Sequence, residues 1–383
     1  MRKILTACFC LVVVAFPPMI LRADDPAEPA NVRPAFSGRF SPEKEALLKR
    51  FGGDDRTEQA VAAGLEWLSR QQRKDGSWSL KGPYSSVSLE PRDIPASATA
   101  MALLALQGSG STHKSGPFQQ TVARGQDALL KFQQDDGNFF NQDVGRAHNW
   151  LYTHAQCTMA ICDLYGMTQD PALRKSAELA VKFCVESQDP ELGGWRYSPK
   201  TDSDTSVTGW MLMALQTAKM AGLDVPRTTL EKVDEYLNDA TFDGSLYGYQ
   251  AGMEPTISMT AEALLCRQYL GWKQDDPRLV AGAEFLLKHL PELDDRDVYY
   301  WYYATQVMHH MEGKYWPIWN ETLRELLIEN QETKAKEKGS WDPLGSHPDR
   351  WASLGLGGRF YVTCLSLYML EAYYRHLPPA QSE

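Results

Sequence analysis

The sequence predicts an all-α protein, a single closed (α/α)6 toroid of six inner and six outer helices. Three observations carry that expectation. Helical segments come in pairs that recur at intervals of about 40–60 residues, the period of a repeat architecture. In each pair one helix is amphipathic while its partner is apolar on nearly every side. The turns inside the pairs repeat a Gln, a Gly and an aromatic residue at similar spacing.

The 383-residue chain opens with a signal-like stretch. Arg2 and Lys3 form a basic start, Ile4 to Phe16 an apolar core, and Leu21-Arg22-Ala23 a cleavage site, so residues 1–23 are expected to be a signal peptide. The mature protein is then exported, to the periplasm or outside the cell. Residues 24–40, rich in Pro, Ala and Asp, are expected to be a flexible tether. Ser41-Pro42-Glu43-Lys44 begins a helix with Pro at its first position, which ends near Gly52-Gly53. The toroid is expected over 41–378, with 379–383 as a tail.

The amphipathic, outer helices are expected at Thr57–Gln72, Thr121–Gln134, Leu173–Gln188, Thr228–Asn238, Arg278–Leu290 and Asn320–Gln331. The apolar, inner helices are expected at Pro95–Leu106, Tyr152–Tyr165, Thr205–Ala221, Ile257–Leu270, Val298–Met311 and Phe360–Tyr374. An inner helix without a polar face must be surrounded by protein. A closed ring supplies that surrounding and removes the need for polar end caps on a repeat array.

The joints follow the outer helices: Gln72 to Gly76-Ser77-Trp78, Gln133-Gln134 to Gly137-Asn138-Phe139, Gln188 to Gly193-Gly194-Trp195, and Gln331 to Gly339-Ser340-Trp341. The fourth keeps Asp243-Gly244-Ser245, and the fifth has lost the pattern. Gly allows a positive-φ turn that stops the helix, Gln can bond exposed carbonyls, and the aromatic packs back on the ring. These motifs are structural.

Charge narrows the partners. The net charge is −10. Loss of residues 1–23 removes three cations and leaves 36 against 49 acids, −13, which disfavours nucleic acid and anionic membranes. No later apolar run is long enough for a membrane span. Five cysteines remain in apolar helical runs, as expected of buried thiols.

The Gln-to-Trp joints set around six helix pairs resemble those of the squalene-cyclase and protein-prenyltransferase superfamily, over about residues 55–378. The resemblance implies an apolar central cavity with its chemistry at the starts of the inner helices, and an isoprenoid-like small molecule as ligand. Squalene–hopene cyclases carry Asp-x-Asp-Asp-Thr there; this chain has Thr201-Asp202-Ser203-Asp204-Thr205, with Ser203 at the position of the protonating Asp. Prenyltransferase β-subunits bind zinc through Asp-x-Cys-Tyr and Phe-Tyr-His-Thr-Cys. Here Asp297-Val298-Tyr299-Tyr300 and Phe360-Tyr361-Val362-Thr363-Cys364 keep one ligand of three, so no zinc and no other cofactor is expected. The Cys-Gly-Glu-Gln of complement-like thioester toroids is absent.

Asp202, Asp204 and Asp297 are therefore the candidate catalytic acids, with helix capping as the alternative role for Asp204 and Asp297. His154, Tyr299, Tyr300, Trp301, Arg359 and Tyr361 are the candidate ligand-binding residues, Arg359 either pairing with Asp297 or Asp204 or holding an anion. The starts of all six inner helices should share one pocket mouth. Two functions stay open: an isoprenoid-related enzyme that departs from the standard motifs, or a non-catalytic toroid that binds an apolar ligand, a glycan or a protein partner.

Overall fold

The computed structural model describes residues 32–89, 93–143, 146–355 and 357–375. The expected signal peptide, the expected tail and the tether before Val32 lie outside them. Among the described residues there is no strand, only three isolated β-bridges. After α1 (Glu43–Arg50) come six pairs of an outer and an inner helix. These are α2 (Asp55–Arg70) with α3 (Pro95–Gly108), α4 (Gln119–Phe132) with α5 (Trp150–Thr168), and α6 (Pro171–Glu186) with α7 (Thr205–Met220). Then follow α8 (Arg227–Ala240) with α9 (Ile257–Tyr269), α10 (Pro277–Leu287) with α11 (Val298–Met311), and α12 (Tyr315–Glu329) with α13 (Gly358–Leu370). A short α14 (Ala372–Arg375) ends the described chain.

The ring closes. Each inner helix packs on the next, α3 on α5 through to α11 on α13, and α13 returns to α3. Inner helices are buried nearly all round: every residue of α3 from Ala96 to Gly108 is buried. Outer helices bury one stripe, such as Leu173, Ala177, Ala180, Val181 and Cys184 of α6. The apolar periodicity thus sorts the two rings by the amount of surface each helix must hide.

The joints bind the ring circumferentially. The Gln72 amide donates to the Gly76 carbonyl at 2.9 Å and to the Thr121 carbonyl of the next outer helix at 2.9 Å. Gln188 repeats this on Gly193 and Thr229, and Gln331 on Gly339 and Ala60 across the seam of the ring. The indole N–H of Trp78 donates to the Leu68 carbonyl, that of Trp195 to Cys184, and that of Trp341 to Leu327, all in the last turns of the outer helices. Each aromatic's backbone N–H donates to a threonine of the following inner helix: Trp78 to Thr99, Trp195 to Thr208, Tyr247 to Thr260 and Trp341 to Thr363. Gly193, at φ +81°, has no room for a side chain, because a Cβ would lie 2.4 Å from the Lys232 carbonyl oxygen.

The chain is packed from well before Ser41, which corrects the expected tether. Residues 34–39 form a 3-10 helix with Phe36 and Arg39 buried. Arg39 pairs with Asp163 of α5 at 2.7 Å, and Phe36 fits against Gly166. Composition alone hid this, since two residues among many Pro and Ala make the contacts. This segment, α1 and α14 lie together at the end where the inner helices finish.

Candidate functional site

The opposite end, where the inner helices start, is built on capping groups. The Val207 amide donates to Asp204 Oδ1 at 2.7 Å, the Met259 amide to Thr256 Oγ1 at 3.2 Å, and the Tyr300 amide to Asp297 Oδ1 at 2.9 Å. Each bond satisfies an otherwise free N–H at a helix start.

Asp204 does more than cap. Its Oδ2 accepts from the Tyr249 hydroxyl at 2.9 Å and lies 3.5 Å from Arg196 Nε, and the residue is fully buried. Burial pushes its carboxyl up to about 6, against the Val207 amide, Tyr249 and Arg196, which all favour the charged form. The loop carrying Tyr249 is pinned over the start of α7, where the Thr205 amide donates to the Tyr249 carbonyl at 2.9 Å. Asp202 stands outside it, half-buried, in a close ion pair with Arg196 and accepting from Gln250 at 3.2 Å. Partial burial works against its charge, but the Ser203 amide, Arg196 and Gln250 prevail and hold it below the usual carboxylate range. Two aspartates two residues apart are thus driven in opposite directions. Ser203 turns away, its hydroxyl accepting from the Gly194 amide of the joint.

Behind Asp204, a hydrogen-bonded series crosses the ring. Tyr152 of α5 bonds Ser206 of α7 at 2.7 Å, Ser206 meets Tyr299 of α11 at 2.5 Å, and Tyr299 donates to Glu262 of α9 at 2.9 Å. Glu262 is fully buried, and its carboxyl lies well above the ordinary value, first because of burial. The Tyr303 and Tyr299 hydroxyls face this carboxyl and favour its charged form, without outweighing burial. Gly209 makes the room: a Cβ there would fall 2.2 Å from Glu262 Oε1. Tyr303, Trp210, Tyr302 and Tyr368 continue the wall, with ring centroids 5.1 to 6.2 Å apart. Tyr152, Tyr299 and Tyr361 keep partial exposure, so they form the part of this wall that solvent reaches.

The remaining candidates lie elsewhere. Asp297 Oδ2 is 3.3 Å from the Ser258 hydroxyl, 3.3 Å from Trp351 Nε1 and 3.6 Å from Arg350. With Tyr300 and Trp301 it lines a separate pocket of about 340 Å³ beside α10. Tyr300 points outward, its hydroxyl donating to the His289 carbonyl at 2.8 Å. His154 is not at the mouth. It is fully buried between Phe139 and Phe183, in the second joint, and burial lowers it to about 4. It faces the joint aromatic as Thr208 faces Trp195, which explains why a residue near a helix start points away from the ring. Arg359 pairs with neither Asp204 nor Asp297; it binds Asp342 at 2.7 Å, the Ser340 hydroxyl and the Ser85 carbonyl, all within its own joint's reach. The single expected mouth is therefore divided into the Asp204 cluster, the phenol-lined ring interior and the Asp297 pocket.

Sequence reasoning passed over Glu262, Ser206, Tyr249 and Arg196. Glu262 had a signal, as the one acid between Ile257 and Tyr269 of an inner helix. Tyr249 and Arg196 sit in loops and had none. Among the described residues, no three His, Cys, Asp or Glu side chains converge on a metal position. His309 is boxed by Phe51 and Trp316, while His310 meets Gln268.

Comparison with known proteins places this geometry. A family model described as the squalene-hopene cyclase C-terminal domain matches residues 46–147. A probable squalene–hopene cyclase of Sinorhizobium fredii is 26% identical over 227 residues, 53% of this chain and 32% of that protein. The chain is similar in sequence to squalene–hopene cyclases over part of its length. The chain spans about a third of the length of that curated relative. Among solved structures, a type II terpene cyclase from Scytonema, in complex with geranylgeranyl dihydroxybenzoate, covers 86% of this chain and 99% of its own, with a TM-score of 0.54 and 12% identity. An inactive variant of an α-1,6-mannanase of Salegentibacter, in complex with α-1,6-mannotriose, covers 84% and 99% with a TM-score of 0.57 and 9% identity. An α-amylase from Clostridium perfringens covers 82% and 98% with a TM-score of 0.56 and 9% identity. The likeness to these three is one of fold.

Proposed function

We propose that this squalene-cyclase-like toroid is an exported enzyme that uses a neutral buried carboxyl to protonate an apolar, isoprenoid-like substrate. One observation carries the reading: Glu262, raised by burial, is joined through Tyr299 and Ser206 to the half-buried phenols, while Asp204, also raised by burial, accepts from Tyr249 nearby. A carboxyl that keeps its proton near neutral pH can donate it, and a dry wall of tyrosine and tryptophan faces favours the cation that follows. The substrate's reacting end meets the half-buried Tyr299 and Tyr152, with Tyr302, Tyr303 and Trp210 packed behind them. Asp204 has its own donor path through Tyr249, and Asp202 stays charged beside Arg196. The likeness to a terpene cyclase and to a squalene–hopene cyclase supports the substrate class. The signal-like residues 1–23 support export, and the N-terminus of the mature protein is expected at Asp24.

The test is incubation of the purified protein with linear polyprenes of increasing length, followed by mass spectrometry of the products. Cyclised or hydrated product is expected, with rate falling on the order of 100-fold in Asp204→Asn or Tyr299→Phe, the size of a lost general acid. Turnover unaffected by both substitutions, or no turnover of any polyprene, overturns the reading. A second reading rests on the opposed Asp202 and Asp204: an acid and a charged carboxylate side by side also suit glycoside hydrolysis. Release of sugar from α-1,6-mannan in the same screen, with polyprenes untouched, would favour it.

A further inference from the structure

The fifth joint lacks the feature that closes the others. At the first, third and sixth joints an indole seals the space at the end of the outer helix and bonds its last-turn carbonyl. Between Lys288 and Asp297 there is no Trp, Phe or Tyr. The Leu286 and His289 carbonyls are met instead by the Tyr300 hydroxyl, coming from the inner helix. Trp301 stands four residues after its cap, where Thr208 follows Asp204 and Thr260 follows Thr256, so the threonine that would bind the joint aromatic is absent as well. Both halves of the joint contact are missing together, and the pocket of about 340 Å³ opens at this joint beside Tyr300.

We propose that this pocket is a binding site for a small aromatic ammonium compound, an indole or phenyl ring bearing a cationic amine. Leu287, Leu290, Tyr300 and Trp301 supply apolar walls that suit a flat ring at the joint that lacks an aromatic of its own. Asp295 and Asp297 line the same pocket, and Arg350, in contact with both, offsets one charge. Glu292 and Lys288 at the rim balance each other, so the formal excess is one negative charge, shared between the exposed Asp295 and Asp297, whose burial works against its charge. The site is distinct from the Asp204 cluster and does not depend on the proposed reaction.

Tryptamine, indole-3-acetate and butylamine are titrated into the full-length protein and followed by thermal shift and calorimetry. Tryptamine is expected to bind and raise Tm, indole-3-acetate not to bind, and butylamine to bind at least about tenfold more weakly. Leu290→Trp, which refills the space from the chain itself, is expected to abolish tryptamine binding without lowering Tm. If that variant proves unstable, Asp295→Asn on the exposed rim serves, with binding weakened about tenfold. Equal binding of tryptamine and indole-3-acetate, no binding of tryptamine, or binding retained in both variants overturns the proposal.

Discussion

Asp204 carries two roles on two oxygens, one capping α7 and one facing Tyr249 and Arg196. Its folded value of about 6 lies above the ordinary 3.8, so the folded protein holds the proton more tightly than the unfolded chain. That contribution to stability is complete below the ordinary value and is lost as pH rises through about 6. Asn caps about as well and cannot ionise. Asp204→Asn is therefore expected to change stability by less than about 1 kcal/mol at low pH, and to gain an advantage over wild type that grows between the ordinary 3.8 and about 6 and is constant above it. Urea unfolding of both proteins across that range reads the difference and cancels the opposite titration of His154, which is lowered to about 4. Glu262 gives a sharper contrast. Its neutral carboxyl is matched in shape by Gln, so Glu262→Gln should be no less stable than wild type, whereas Glu262→Ala takes an acceptor from the Tyr299 hydroxyl and leaves a buried cavity, at about 1–3 kcal/mol. Equal losses in the two variants would mean that the carboxyl is charged in the folded protein.

At this scale the sequence was legible where a role follows from local position, and opaque where it follows from a distant partner. Asp204 and Asp297 could be placed because a cap needs only the next three residues. Arg359 could not, since Asp342 and Ser85 reach it by way of a joint and a loop. His154 misled because a position near a helix start does not say which way the ring points.

The joints can be tested as elements. Removing the Gln188 side chain loses two hydrogen bonds that span two outer helices, and Gln188→Ala should cost about 2 kcal/mol. Gly193→Ala should cost more, about 3 kcal/mol or above, because an unfavourable φ is joined by a clash with a backbone carbonyl. Gly252, at φ +76° with nothing within 4 Å, isolates the first effect, and Gly252→Ala should cost about 1 kcal/mol. Denaturant midpoints rank the three; a Gly193 variant no worse than the Gly252 variant would remove the close approach from the account. Helix pairs, their order and their inner or outer place were readable from periodicity, and ends fell within a few residues. The Gln clamp was readable only in part. A glutamine at a helix end announces a carbonyl acceptor, but not that the second acceptor belongs to the next helix around the ring.

For the whole molecule, closure was legible from the number of pairs, and the seal at the far end was not. Arg39, Asp163, Glu371 and Arg375 form a buried charged group that joins the first packed segment to the last. Arg39→Ala strands Asp163 in the interior and should cost about 3 kcal/mol, while Arg227→Ala, whose pair with Glu231 is exposed, should be silent. A chain beginning at Ser41 should show the same loss as Arg39→Ala or a larger one by thermal unfolding.

That charged seal also fixes an order of events. Arg39 Nε donates to the Arg375 carbonyl at 3.4 Å, across 336 positions of sequence. Without the last helix the earlier pairs form only an open arc, with apolar inner flanks turned to solvent and Arg39 paired with Asp163 alone. Long-range closure of this kind is slow, and such an arc is prone to aggregate. A chain cut before residue 371 is thus expected to keep that arc open, and aggregation of such a truncated chain beside the full one, followed by light scattering, reads the difference.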